Sequence, residues 1–240
     1  MGIILYLSNM KKKIIYLSLV LFLGFVIKNL YYDVYDSESV SVTSNLKYHT
    51  ITFKEGKTSF EVTKNKENYD FYVNSNFFTK RKEVIGGLVI DGKKENSQLN
   101  KGGSFVVKNG KPYIVFNRVK KCEYLSQSIV WVIKNNSLNT IMLSQRHANE
   151  NVMRLLMGKN SKGEIVVIHS NPLVLVTMSD IVEYAKSQGI VDGIILDSGS
   201  SVDLSIGTKN YSHSIKALPS FVKRKINIHE PVVYIAGNFN

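Results

Sequence analysis

The chain has 240 residues, 44% of them hydrophobic, enough for one substantial core with at most a small appendage. Lys and Arg outnumber Asp and Glu by 31 to 19, and the formal charge of +12 is compatible with anionic partners such as phosphate, a teichoic-type polymer or nucleic acid. Scattered Lys with abundant Asn nonetheless reads first as a coding bias on a solvated surface. Nucleic acid is disfavoured: the charge is scattered Lys, only Arg81, Arg118, Arg146, Arg154 and Arg224 offer a planar fork, and no recognition helix or zinc spacing accompanies them. The lone Cys122 excludes an intrachain disulfide and reads as filler in an apolar strand.

Lys11, Lys12 and Lys13 precede an uncharged apolar run from Ile14 to Ile27. Its length as a helix is about 21 Å, short of a comfortable membrane span and suited to a signal-peptide core. No small-residue cleavage site follows promptly, and Tyr31 and Tyr32 suit a membrane interface. Residues 1–30 are therefore expected to be a signal sequence or an uncleaved N-terminal membrane anchor, cytoplasmic at the lysines, with the remaining domain exported. Residues 31–45, rich in Asp and Ser, read as a tether to a domain over 46–240.

From Leu46 the pattern becomes short alternating stretches with polar turns, the mark of strands. Tyr48 to Phe53, Ser59 to Val62 and Phe71 to Val73 are expected strands, the last running into an Asn74 corner. Val84 to Ile90 closes on Asp91-Gly92, and Ser104 to Val107 is joined to Tyr113 to Phe116 through Asn109-Gly110, the strongest hairpin signal here. Ile129 to Ile133 and Thr140 to Leu143 flank Asn135-Asn136 as a second hairpin.

Leu173 to Val176 reads as a strand, followed by a helix capped by Thr177 with Asp180 in the capping-box position and closed by Gly189. Met178, Ile181, Val182 and Ala185 recur at helical spacing, and Val191 to Leu196 is the next strand. Strand, short helix and strand imply a parallel pair with a right-handed connection. The expected class is α+β: a mixed, strand-rich sheet system with at least one right-handed strand–helix–strand crossover.

Ile194-Ile195-Leu196 runs straight into Asp197 and the turn Ser198-Gly199-Ser200-Ser201. A carboxylate there sits at a sheet rim, where ligands bind. Successive turn N–H groups make an anion-binding nest, and Asp203 adds a second carboxylate. A turn that merely satisfies its own N–H groups is the plainer reading. Asn74, with Asn76 and the aromatic anchors Phe77 and Phe78, forms another such corner. Arg154 lies among apolar neighbours and must point outward or find an anion. His49, His147, His169, His213 and His229 are scattered without ligand spacing, against zinc; a calcium or magnesium site on Asp197 and Asp203 with carbonyls stays open.

Phe71 to Phe78, Gly86 to Gly92, Arg154 followed by Gly158, Leu173 to Asp180, and Gly193 to Ser201 together resemble the ordered motifs of the phosphodiester glycosidase domain family. That family is typified by the enzyme that uncovers mannose 6-phosphate by removing a covering N-acetylglucosamine, and the resemblance covers residues 46–236. It implies an exported hydrolase that cleaves a sugar-1-phosphodiester in a surface glycan or related substrate. Asp197, Arg154 and Asn74 would be catalytic, with substrate bound by Asn76, Phe78, Ser198, Gly199, Ser200 and Ser201. Arg154, Asn74 and the loop N–H groups would hold the phosphodiester; whether a second carboxylate assists stays open, with Asp203 and Glu164 as the candidates.

Two motifs depart from the family. Asp-Gly-Gly-Gly-Ser-Ser becomes Asp197-Ser198-Gly199-Ser200-Ser201, and Asn-Gly-Gly-Phe-Phe becomes Asn74-Ser75-Asn76-Phe77-Phe78. Side chains where the family has glycines imply a different substrate shape or slower turnover. The rival reading is a non-catalytic glycan-binding or envelope-scaffold module on the same fold.

Overall fold

The computed structural model describes residues 35–171, 174–207, 211–214 and 231–240, together with Tyr16 and Ser18. In chain order the first strands are Tyr35–Asp36 (β1), Val40–Ser44 (β2), Tyr48–Phe53 (β3), Glu61–Thr63 (β4) and Phe71–Asn74 (β5). Leu88–Ile90 (β6), Lys93–Asn96 (β7), Gly103–Lys108 (β8), Lys111–Val115 (β9) and Tyr124–Ser128 (β10) follow. Val130–Lys134 (β11), Ser137–Leu138 (β12) and a single helical turn Thr140–Leu143 (α1) lead to Leu155–Asn160 (β13) and Ile165–Ser170 (β14). Helix Met178–Ser187 (α2) precedes Ile190–Ile195 (β15), Asp203–Ile206 (β16), Tyr211–Ser214 (β17) and Tyr234–Gly237 (β18).

These strands form three sheets. The largest has eight strands in the order β1-β2-β3-β14-β13-β15-β11-β12, and two of five strands run β7-β6-β10-β8-β9 and β17-β16-β5-β18-β4. Period-two alternation in the large sheet decides the layering. Ile51, Met157, Val167 and Ile194 point to one side and join Phe71, Phe105, Leu204 and Ile235 of the smaller sheets in one core. Leu156, Val166, Ile168 and Ile195 point to the other and pack against Ile181, Val182 and Ala185 of α2. The large sheet is thus sandwiched between a helix and two smaller sheets.

Several local expectations are met. Asn109 and Gly110 both have positive φ, at 52° and 68°, and join β8 to β9. Asp91 and Gly92 do the same, at 50° and 72°, between β6 and β7. Thr177 and Asp180 form a complete capping box at the start of α2.

Other expectations are corrected. Residues 35–44 are not tether: β2 pairs along β3, and Val40 and Val42 are 0% and 3% exposed in the core. The second strand after Asn135-Asn136 is Ser137–Leu138, while Thr140–Leu143 turns as a helix because the Asn139 side chain accepts from the Met142 N–H. Val176 makes an isolated bridge to Val152, and Leu173 lies outside the described residues. The strand before α2 is instead Ile165–Ser170. It is antiparallel to β13, as is β15, so β14 and β15 share a direction but β13 lies between them, and no parallel pair forms among the described strands. Cys122 is half-buried in the connection before β10, not in a strand. Among the described residues no helix is long and apolar enough to cross a membrane. The Ile14–Ile27 run, apart from Tyr16 and Ser18, lies outside them.

Candidate active site

The Asp197 turn forms where β15 outruns its partners. Leu196 still donates its N–H to the Leu155 carbonyl at 2.9 Å, but Asp197 leaves the large sheet and donates to the Ser75 carbonyl at 3.0 Å. The Asn74 side chain completes the attachment by donating to the Asp197 carbonyl oxygen at 2.7 Å. Its other end accepts from the Asp203 N–H at 2.9 Å. One fully buried amide therefore holds both ends of the 197–203 loop.

Met153, just before β13, and Leu155, at its start, hold the middle of the same loop. Gly199 donates to the Met153 carbonyl at 2.8 Å. Ser198 Oγ donates to the Leu196 carbonyl at 2.9 Å and accepts from the Leu155 N–H at 3.3 Å. Gly199, with φ of 71°, takes the left-handed conformation that its missing Cβ permits. Asp197 Oδ1 accepts from the Ser198 N–H at 3.1 Å, so one carboxylate oxygen steadies the turn. Asp197, Ser198, Gly199 and Ser200 are half-buried, and Ser201 is buried.

Arg154 directly precedes β13. Leu156 pairs with Ile195, so Arg154 and Asp197 each lie two residues beyond the last paired position, at the same end of the large sheet. Its side chain is nearly buried, the residue being 5% exposed. One terminal nitrogen donates to the carbonyls of His147 and Glu150, at 2.8 and 2.7 Å. Its Nε has no hydrogen-bond partner, and no ion pair to Arg154 forms among the described residues. Burial presses the guanidinium's pKa below its ordinary value, against the opposing pull of Glu150. Two backbone carbonyls, the pull of Glu150 and no ion pair leave this buried cation with unused capacity for an anion.

The corner at residues 74–78 differs from expectation. Asn74 is 0% exposed, so it reaches the site through the loop backbone and does not touch a ligand. Asn76, 3% exposed, accepts from the Ser75 and Ser126 hydroxyls and donates to the Gln127 and Gly87 carbonyls at 3.0 and 3.4 Å. Its hydrogen-bonding capacity is used within the fold. Phe78 is half-buried and bridges to Val84, while Phe77 packs against the helix-side core.

The assisting carboxylates also fall elsewhere. Glu164 accepts from the Asn160 side chain at 2.8 Å, at the end of β13 remote from Arg154 and Asp197. Asp203, 3% exposed, is paired with Lys66 at 2.5 Å and accepts from the Tyr234 hydroxyl at 3.3 Å. The Lys66 ammonium lies over the Tyr72 and Tyr234 rings, 4.6 and 5.3 Å from their centroids. Lys66 thus takes one oxygen of the second carboxylate of the expected cation site on Asp197 and Asp203, while Asp203 Oδ1 is buried without a hydrogen-bond partner. No group of three or more His, Cys, Asp or Glu side chains placed to hold a metal occurs among the described residues.

Sequence spacing missed a pair of histidines. His49 and His169, both 0% exposed, stand opposite each other on β3 and β14 and stack at 4.7 Å. His169 also pairs with Leu155, next to Arg154, and the Ser170 hydroxyl accepts from the Arg154 N–H at 2.9 Å. The signal was available: Ile165 to Ile168 ends in His169-Ser170-Asn171, the same apolar strand with a polar tip that marks Asp197.

The family model for phosphodiester glycosidases matches residues 67–228, and the chain belongs to this family. Among solved structures, it is similar to the catalytic domain of the zebrafish N-acetylglucosamine-1-phosphodiester alpha-N-acetylglucosaminidase, auto-inhibited by its pro-peptide, with a TM-score of 0.61 and 13% identity. That match covers 84% of this chain and 78% of the zebrafish chain. A hypothetical protein from Synechocystis gives a TM-score of 0.56 at 10% identity, over 85% of this chain and 60% of that one. A Burkholderia pseudomallei protein inferred to be exported gives 0.52 at 9%, over 82% and 75%. No curated protein matches the chain significantly. At these identities the structures share its fold.

Proposed function

We propose that the protein is an exported hydrolase that breaks the bond between a sugar C1 and a phosphodiester oxygen in a surface glycan or related substrate. The observation that carries this reading is Arg154: a buried guanidinium, without an ion-paired carboxylate among the described residues, at the same end of the large sheet as Asp197. A phosphodiester seated there neutralises the buried cation and takes up the charge that grows as the C1–O bond breaks. The phosphate monoester leaves with the bonding electron pair, water supplies the new oxygen at C1, and the water proton passes to Asp197 or solvent. Asp197 either activates that water or stabilises the oxocarbenium-like sugar. A phosphate leaving group has a low pKa, so the step proceeds without a dedicated general acid. Asn74 is a positioning residue that fixes the carbonyl of Asp197 and the N–H of Asp203. Lys11 to Lys13 with the following apolar run support export through an N-terminal signal or anchor.

The test incubates the full chain with nucleotide-sugars and sugar-1-phosphodiesters and follows free reducing sugar by mass spectrometry. Release by the native protein, abolished in a folded Asp197→Asn variant, is the expected result. Saturable binding of the same compounds without release would favour the glycan-binding module. That reading has one observation on its side: the Ser75 and Asn76 side chains fill a corner where the family has glycines.

A further inference from the structure

We propose that an open groove on the edge of the β7-β6-β10-β8-β9 sheet binds the extended, phosphate-bearing part of a polymeric substrate. The groove has a volume of about 750 Å³, with Lys94 and Gln98 on one wall and Arg118, Val119, Lys120 and Lys121 on the other. Its lining includes four cationic side chains and neither Asp nor Glu. The nearest acidic neighbours in sequence have other partners. Glu95 pairs with Lys64 at 2.8 Å, Glu123 accepts from the Asn109 N–H at 2.9 Å, and Asp91 accepts from the Tyr124 hydroxyl at 2.6 Å. Asp91 and Glu123 keep their charge at the end of the groove beside Lys121, and the four cations of the lining outnumber them, leaving a net positive field that concentrates anions.

Lysine on β7 alone would have a simpler explanation, because edge strands carry lysine to discourage pairing with other chains. Arg118, Lys120 and Lys121 come from a separate segment that is built against the first. Gln98 donates to the Val119 carbonyl at 2.7 Å and accepts from the Val119 N–H at 2.9 Å, a side-chain bridge that sets the spacing of the walls. Arg118 donates to the Gln98 carbonyl at 3.3 Å, which directs its guanidinium across the groove.

The lining also defines the class of ligand. It contains no aromatic side chain, whereas single-stranded nucleic acid is held by bases stacked on aromatic platforms. Three of the four cations are Lys, compact charges that meet phosphate without demanding one geometry. Asn96 and Ser97 add neutral groups for hydroxyls. A chain of polyols or sugars joined by phosphodiesters presents these groups in alternation.

A chain of hydrogen bonds connects the groove with the candidate active site. Gln127, 4% exposed, accepts from the Leu99 N–H and donates to the Leu99 and Lys101 carbonyls, anchoring the segment that carries Gln98. Its own carbonyl accepts from Asn76, two residues from the amide that clamps Asp197. This inference rests on the phosphodiester reading for the natural polymer, and its test does not.

The test measures binding of inorganic polyphosphate to the full chain carrying Asp197→Asn, so that turnover plays no part. Fluorescence anisotropy is followed as a function of salt. Replacing Lys94, Arg118, Lys120 and Lys121 by Gln should weaken binding roughly tenfold or more and lower the salt slope by about three. A charge-matched variant with Lys57, Lys111, Lys162 and Lys186 replaced by Gln should bind like the parent. Equal losses in the two variants, or no loss in the first, would overturn the proposal by making the attraction a property of net charge alone. Tighter binding of an oligothymidine of equal charge, lost in the groove variant, would overturn the assignment of the ligand. Hydrolysis failing while groove binding succeeds would count against the active-site reading and leave the groove standing.

Discussion

Asn74 and Asp197, 123 residues apart in sequence, are joined by a 2.7 Å hydrogen bond from a buried side-chain amide to a backbone carbonyl. The bond decides where the candidate carboxylate stands, because the same amide also fixes the far end of the loop at Asp203. Asn74→Asp keeps the shape but turns the donor into a second acceptor facing the Asp197 carbonyl. Leaving those groups unmatched should cost about 1–3 kcal/mol in denaturant unfolding. The kcat of the folded fraction should fall at least roughly tenfold, since about 1.4 kcal/mol of lost alignment does that. Stabilisation by phosphate through Arg154 should persist. An unchanged kcat would mean that the bond is structural only.

Arg154 yields a second prediction through linkage. An anion that seats on its guanidinium binds the folded chain and raises its stability, by about 2.7 kcal/mol at a hundredfold excess over Kd. Thermal unfolding of the native protein should shift upward with sugar phosphate. In Arg154→Met the shift should vanish. The variant's own stability should stay near native, because removing a buried cation offsets the loss of its bonds to the His147 and Glu150 carbonyls.

The Lys66–Asp203 pair gives a third. Burial lowers the Lys66 pKa, but the hydrogen bond and charge of Asp203 outweigh it, with Tyr234 and Tyr72 adding to the rise, and the net value lies above the ordinary one. A raised folded pKa means that the contribution is complete below the unfolded value of about 10.4 and is lost as pH climbs through the folded one. Lys66→Met should therefore destabilise at neutral pH, by about 2–3 kcal/mol given that Lys66 keeps 31% side-chain exposure. Adding Asp203→Leu should recover most of that loss. Urea unfolding of the single and double variants checks both statements.

Acid reads out the cap of α2. The Thr177 hydroxyl and N–H donate to Asp180 and hold its carboxyl below the usual range. A depressed folded pKa contributes stability above the unfolded value of about 3.9, lost as pH falls through the folded one. Asp180→Asn should cost about 0.5–1 kcal/mol at pH 7. The difference from native should close as acid unfolding proceeds.

The features legible in the sequence were those set by neighbours along the chain. Asn109-Gly110 announced its hairpin because left-handed backbone favours those residues, and Thr177 with Asp180 announced a helix start. Asp197 was legible as the polar tip of a buried strand. What escaped depends on partners distant in sequence. Val40 and Val42 sit in a polar stretch, and only pairing with β3 makes that stretch a strand. Asn76 suited a ligand until Ser126 and Gln127 arrived from fifty residues on to engage its amide. Asp203 stood close to Asp197 along the chain, yet Lys66, 137 residues away, claimed its charge.

The 197–203 loop is fastened by Asn74, Ser75, Met153 and Leu155, and by no turn of its own strong enough to stand alone. Ring closure over such separations is entropically late in folding. A ribosome-bound chain that ends before residue 197 can build the β7-β6-β10-β8-β9 sheet, but β4 and β5 still await β16 and β18, and the candidate site lacks its loop. The candidate site is therefore completed as one of the last events of maturation, and the anchoring of its loop reports whether the whole chain has folded.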